Sequence, residues 1–176
     1  GGPDAMTHGR LPITVAIPTY RRERVLIETL DYLLALSPPP AEILVLDQTE
    51  RHEATTDQCL TQWHASGAIR WQRLDKPSIP GAMNQGLLKS VHEVVLFVDD
   101  DVRPEPGLLA AHLAAHERLG DALVAGRVIQ PWQEGVDFTK DPDNKFAGIR
   151  RRQVDEFIGC NFSMKRASAL AVGGFD

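Results

Sequence analysis

Val94-Val95-Leu96-Phe97-Val98-Asp99-Asp100-Asp101 runs five apolar residues directly into three carboxylates. An unbroken Val/Leu/Phe run of this length reads as a strand buried on both faces, the pattern of a parallel sheet covered by helices. In open α/β sheets ligands bind outside the carboxyl ends of the strands. This run therefore delivers three negative charges to the place where a ligand sits. Carboxylates so close repel one another unless a cation lies among them. Their hard oxygens suit Mg2+ or Mn2+, ions that also hold a diphosphate. A solvated acidic turn with no ligand is equally compatible with the composition.

Working outward, the same device recurs. Glu42-Ile43-Leu44-Val45-Leu46-Asp47 is a second apolar run ending in a carboxylate, and Leu11-Pro12-Ile13-Thr14-Val15-Ala16-Ile17-Pro18 is a first buried strand closed by proline. Between them Val25, Leu26, Leu30, Leu33 and Leu34 fall on one helical face, and Pro38-Pro39-Pro40 ends that helix. Glu53 to Ala65 predicts a helix with Leu60 and Trp63 inward and Gly67 as its stop. Ile69 to Leu74 alternates as an edge strand does. The loop Lys76 to Gly81 opens a helix on which Leu87, Leu88 and Val91 share a face, with Asn84 one turn earlier.

Beyond the organising strand, Leu108 to Leu119 predicts a helix ended by Gly120, and Leu123 to Ile129 a strand. Gln130 to about Arg152 reads as a long polar loop, a feature often tied to function in compact domains. Phe157 to Met164 reads as a mixed strand and Lys165 to Val172 as a short helix capped by Gly173-Gly174. Alternation of strand and helix makes the class α/β, with a mainly parallel central sheet flanked by helices in a single domain over residues 11–176. Residues 1–10 read as a loose, disordered or cloning-derived terminus.

Composition narrows the function classes. The chain has 176 residues with 43% hydrophobic and 24% charged, enough for one domain with a core. Its net charge of −5 leaves no basic surplus for neutralising phosphates along a nucleic acid, so no nucleic-acid partner is expected. Two cysteines, Cys59 and Cys160, make no disulfide framework; a reduced, cytoplasmic setting is the simpler reading, with a membrane-peripheral one left open. No run approaches the ~20 apolar residues of a membrane span.

Five segments resemble the family 2 glycosyltransferases of the GT-A, or nucleotide-diphospho-sugar transferase, fold. They are Val15 to Tyr20, Ile43 to Asp47, Ala82 to Leu87, Phe97 to Asp101 with Pro104, and Gly159 to Ser163 through Gly173-Gly174-Phe175-Asp176. Each alone is weak, but they occur in the family's order over roughly residues 13–176. The resemblance implies a metal-dependent, inverting transfer of sugar from a nucleotide donor (UDP-, TDP- or GDP-linked) to a hydroxyl on a glycan, lipid or small molecule. By it, Asp101 binds Mn2+ or Mg2+ directly, Asp99 lies near the ribose or a metal-bound water, and Asp100 is a spacer or supporting carboxylate at the nucleotide. Pro18, Thr19 and Tyr20 line the base pocket, Asp47 accepts a hydrogen bond from the base, and Asn84 with Gly86 lies near the nucleotide. Gly159, Cys160 and Asn161 belong to the acceptor side, where Trp132 is placed to stack on a sugar. Against these stand plainer readings: a turn carboxylate at Asp47, a polar helix face and packing glycine at Asn84 and Gly86, a surface tryptophan at Trp132, a buried structural thiol at Cys160, and solvated arginines at Arg21 and Arg22.

The chain departs from the family pattern in three places. Asp47-Gln48-Thr49-Glu50 replaces the usual Asp-Asp-Gly-Ser, which leaves the base open, and Met83 stands where an arginine is common. Third, the acidic pair that supplies the family's general base follows the Gly-Gly-Phe-Asp match, so the base is expected beyond Asp176, and little transfer is expected of this chain alone. Asp155-Glu156 precede that match, and Asp176 is a poor substitute. A non-catalytic nucleotide-sugar binding module is thus a second reading, and a sugar-phosphate nucleotidyltransferase a third. The third lacks its Gly-rich basic loop, since Pro18-Thr19-Tyr20-Arg21-Arg22 stands in that place. His112 and His116 have zinc-ligand spacing, but Leu113 stands where a zincin has glutamate, so two helix-face histidines is the better reading. Exposed sheet or core would make homo-oligomers unsurprising.

Overall fold

The computed structural model describes residues 9–126 and 161–176. β1 (Leu11–Thr19), α1 (Arg24–Leu34), β2 (Pro40–Asp47), α2 (Ala54–Ser66), β3 (Arg70–Arg73), α3 (Ile79–Lys89) and β4 (Val94–Val98) alternate along the chain. α4 (Leu108–Leu119), β5 (Val124–Ala125), β6 (Asn161–Lys165) and α5 (Arg166–Ala171) complete it. The sheet order is β3-β2-β1-β4-β6-β5. β1, β2, β3 and β4 are mutually parallel, whereas β6 runs antiparallel to β4 and to β5. The expected α/β class with a mainly parallel sheet is what forms.

The unbroken apolar strands are explained by a core on each face of the sheet. Val94, Leu96 and Val98 of β4 join Ile13, Val15 and Ile17 of β1 beneath α1, α2 and α4. Val95 and Phe97, one residue out of step, join Ala16, Leu44 and Leu46 beneath α3. Successive side chains of a strand point to opposite faces, so a strand covered twice has no polar position to spare.

Several boundaries differ from expectation. β1 runs one residue past Pro18, because its ladder to β4 ends at Ala16 while its ladder to β2 continues to Thr19 opposite Asp47. Pro18 therefore lies where a single neighbour remains paired, and its missing N–H is tolerated. On α3 the buried positions are Ala82, Gly86 and Leu87, whereas Leu88 is exposed and Val91 falls beyond the helix, also exposed. Small residues win this face because the helix sits tightly on the sheet: a Cβ on Gly86 would lie 2.8 Å from the Phe97 ring and 3.0 Å from Leu46. His112 and His116 are buried against β6, not displayed on a solvent face. β5 covers only Val124–Ala125 and ends before Gly126, and β6 is described from Asn161. The long loop expected over residues 130–152 lies outside the described residues.

Candidate active site

Because β1, β2 and β4 are parallel, Thr19, Asp47 and Asp99 leave the sheet at the same edge. The turn after β4 splits its three carboxylates. Asp100 is turned in toward β1 and α1: Thr19 Oγ1 donates to its Oδ2 at 2.8 Å, Arg22 Nε stands 3.6 Å from its Oδ1, and its carbonyl accepts from Thr29 Oγ1 at 2.8 Å. Burial pushes the Asp100 carboxyl above its ordinary range, with the Asp101 charge adding to it and Thr19 and Arg22 opposing. Asp99 and Asp101, on either side, are exposed at the edge. An inward central residue thus forces the flanking carboxylates outward, where an Asp-x-Asp pair has to be to meet a ligand. Thr29, two turns from any motif, was not legible as part of this anchor.

The exit of β2 is a saturated hydrogen-bonded knot. Asp47 is fully buried and its carboxylate accepts from the Thr49 amide (3.0 Å), Trp71 Nε1 (2.8 Å) and His52 Nε2 (2.5 Å). The other imidazole nitrogen of His52 meets Glu23 Oε2 at 2.8 Å, and Glu23 Oε1 accepts the Glu53 amide at 3.0 Å. Burial alone lowers the pKa of His52, but its two carboxylate partners outweigh it and leave the pKa raised. Glu23 is raised by burial yet held below its ordinary range by the Glu53 amide, Thr56 and His52. Gln48 is also buried; its Nε2 donates to the carbonyls of Ser78 (2.7 Å) and Lys76 (3.2 Å), tying the loop before α3 to the end of β2. The knot fixes the rim on which the exposed groups stand. Tyr20 and Glu50 lie on that rim, with Arg21 Cζ 4.8 Å from the Tyr20 ring and Arg21 Nη2 3.1 Å from Glu50 Oε1. Arg21 takes a left-handed φ of 53°, held by its amide's bond to Thr49 Oγ1.

Pro18, Thr19, Tyr20, Asp47, Asp99, Asp100 and Asp101 are therefore brought to one edge. Asn84 is differently engaged: both ends of its amide bond the backbone of Phe175. Met83 packs against the apolar cluster under α3. Asn161 stands at the start of β6 opposite Val98, with its Oδ1 3.1 Å from His112 Nε2. Ser163 Oγ lies between His112 Nδ1 (2.6 Å) and His116 Nε2 (2.8 Å), and burial lowers the His112 pKa to about 4. The four-residue spacing that suggested zinc thus serves a shared serine. Trp132, Gly159 and Cys160 lie outside the described residues. Sequence reading missed Glu23, Gln48, His52 and Trp71. Gln48 alone had a local signal, its place directly after the β2 carboxylate.

The family model for glycosyl transferase family 2 matches residues 14–171. The chain belongs to that family. Its fold is GT-A, as in a mannosyltransferase from Pyrobaculum calidifontis, PcManGT, solved in complex with GDP-Man and Mn2+. That structure superposes with a TM-score of 0.69 at 22% identity, over 95% of this chain and 48% of the other. TarS of S. aureus, residues 1–349, gives 0.60 at 18% identity, over 94% and 50%. A curated relative, the glucosyl-dolichyl phosphate glucuronosyltransferase of Haloferax volcanii, is 24% identical over 94% of this chain and 56% of its own length. The chain thus spans about half the length of the relatives it matches. Among the described residues no helix is long and apolar enough to cross a membrane.

Proposed function

We propose that the edge formed by β1, β2 and β4 binds the nucleotide diphosphate of an activated sugar, for metal-dependent, inverting transfer to a hydroxyl acceptor. The observation that carries this reading is the split of the three carboxylates, Asp100 anchored by Thr19 and Thr29 while Asp99 and Asp101 face outward. Oxygen donors of this kind fit Mg2+ or Mn2+. Among the described residues no three His, Cys, Asp or Glu side chains converge as a closed cage. An open carboxylate pair suits a cation that shares its coordination with substrate phosphates and water. When bound there, such an ion stabilises charge on the departing diphosphate as a Lewis acid.

The chain's own residues supply position. Asp99 and Asp101 hold the cation side of the diphosphate. Thr19 fixes the β4 turn through Asp100, and the Asp47–His52–Glu23 knot keeps the β2 exit rigid beneath the base. Tyr20, exposed just past the end of β1 with the Arg21 guanidinium over its ring, lies on the base side of the edge. Matching structures bound to GDP-Man and to UDP-GlcNAc support a nucleotide-sugar donor of this kind. Met83, half-buried where the family commonly has an arginine, favours a second reading: a module that binds nucleotide sugar without transferring it.

Calorimetric titration of UDP, GDP, TDP and CMP, each with and without Mn2+, tests the site. Metal-dependent binding of one nucleoside diphosphate is expected, and Asp101→Ala loses it while the melting temperature stays within about a degree, since surface changes rarely exceed ~0.5 kcal/mol. The same affinity in that variant with and without Mn2+ would sink the assignment. Release of free nucleotide from the matching nucleotide sugar in the presence of acceptor separates a transferase from the binding module.

A further inference from the structure

Two of the sequence segments that support the family assignment, Ala82–Leu87 and Gly173–Asp176, meet in space at Asn84. Its Nδ2 donates to the Phe175 carbonyl at 2.7 Å, and its Oδ1 accepts the Phe175 amide at 2.6 Å. The side-chain amide thus pairs with one residue's backbone as a neighbouring strand would. Around this pair the fold is shaped to fit. Gly173 and Gly174 have φ of +97° and +76°, values that suit glycine, and they turn the chain back from α5. A Cβ on Gly174 would fall 2.4 Å from Asn84 Oδ1, so only glycine leaves room for the clamp. The Phe175 ring meets the rings of Phe97 (5.8 Å) and Phe162 (6.4 Å) in edge contacts near the carboxyl end of β4. Asp176, the next residue, is exposed.

Both polar atoms of the Asn84 side chain engage the Phe175 backbone, with one N–H and one lone pair left over. We propose that Asn84 is a positioning residue: it holds the Gly173–Asp176 segment against α3 and so sets where Asp176 stands beside the donor edge. This role rests on the reading of that edge as the donor site. The clamp itself does not depend on any ligand.

Residue-resolved hydrogen exchange at the Phe175 amide is the test, in the whole 176-residue chain and without nucleotide. Asn84→Ala accelerates that exchange by about tenfold or more relative to the core strands, because the amide loses its acceptor. Asn84→Asp keeps an acceptor for the Phe175 amide but sets a carboxylate oxygen against the Phe175 carbonyl in place of the donating Nδ2. It therefore restores protection only in part, leaving an exchange rate between those of wild type and Asn84→Ala that simple loss of packing does not produce. Gly174→Ala also exposes Phe175, and adds less when combined with Asn84→Ala than it does alone, since the collision is then gone and only the strain of alanine at a φ of +76° remains. Wild-type protection of Phe175 in Asn84→Ala overturns the proposal. So does loss of nucleoside diphosphate and Mn2+ binding in Asn84→Ala while Phe175 stays protected, which makes Asn84 a donor ligand. If the wild-type chain binds none of the four nucleotides, the donor reading fails, and the exchange results alone decide the clamp.

Discussion

Asp47 and His52 show how a single buried charge is made tolerable at the rim of a binding edge. A carboxylate excluded from water costs several kcal/mol unless it is paired and hydrogen-bonded. Here Thr49, Trp71 and His52 supply three donors, and Glu23 closes the chain on the far side of the imidazole. The pH dependence follows by linkage. The folded pKa of His52 is raised above 6.5, so its contribution is complete below that pH and is lost as pH rises through the folded value. The folded pKa of Glu23 is lowered below 4.5, so its contribution is complete above that pH and is lost as pH falls through the folded value. The knot therefore stabilises most between 4.5 and 6.5. His52→Gln is expected to cost about 3 kcal/mol at pH 6, as removal of one member of a buried pair does. Urea denaturation from pH 5 to 8.5 checks it: the gap between wild type and variant narrows as pH rises, and a gap independent of pH refutes the charge on His52. None of this was legible beforehand. Asp47 was visible as a strand-end carboxylate, but the knot around it draws on the residue before α1, the β2–α2 loop and β3, and no periodicity links Glu23, His52 and Trp71.

At the level of elements, the strands were legible because burial on both faces erases polar positions, and Val94–Val98 has the bounds its apolar run suggested. Helix α3 was harder. A search for large apolar residues at helical spacing chose Leu87, Leu88 and Val91, of which only Leu87 is buried, and the helix buries Ala82 and Gly86 beside it to come close to β2 and β4. The same bias hid α4's inner face, where His112 and His116 lie beside Leu109 and Ala115 and are satisfied by Ser163. Polar residues at buried helical positions are invisible to a hydrophobic pattern until their partner strand is known. The close approach of α3 makes a sharp prediction. Gly86→Ala gains helix propensity of about 1 kcal/mol, yet its methyl meets the Phe97 ring at 2.8 Å, inside any real Cβ contact. Overpacking of this sort costs about 1–3 kcal/mol. Because Phe97 also stacks on Phe162 at 5.4 Å and meets Phe175 edge-on, the ring cannot yield without disturbing both. Gly86→Ala is thus expected to lower the urea midpoint and to speed exchange at Phe175, whereas a stabilised variant would mean that α3 is free to lift.

Across the whole molecule, charge and sheet geometry make binding conditional. The chain carries a net charge of −5, and the edge that gathers the strand ends presents Asp99 and Asp101 to solvent. A nucleoside diphosphate has the same sign, so its approach to that edge is opposed until a divalent cation intervenes. Nucleotide and metal should therefore stabilise the fold together and not separately. A ligand present at a hundred times its dissociation constant stabilises the native state by about 2.7 kcal/mol. For a chain of this length that corresponds to a rise in melting temperature of about 5–10 °C. Thermal melts with nucleotide alone, with Mn2+ alone and with both should show that rise for the combination, reversed by a chelator and absent in Asp101→Ala. An equal rise with nucleotide alone would place the diphosphate away from the carboxylates, with the nearby Arg21 and Arg22 as its counter-charges in place of a metal.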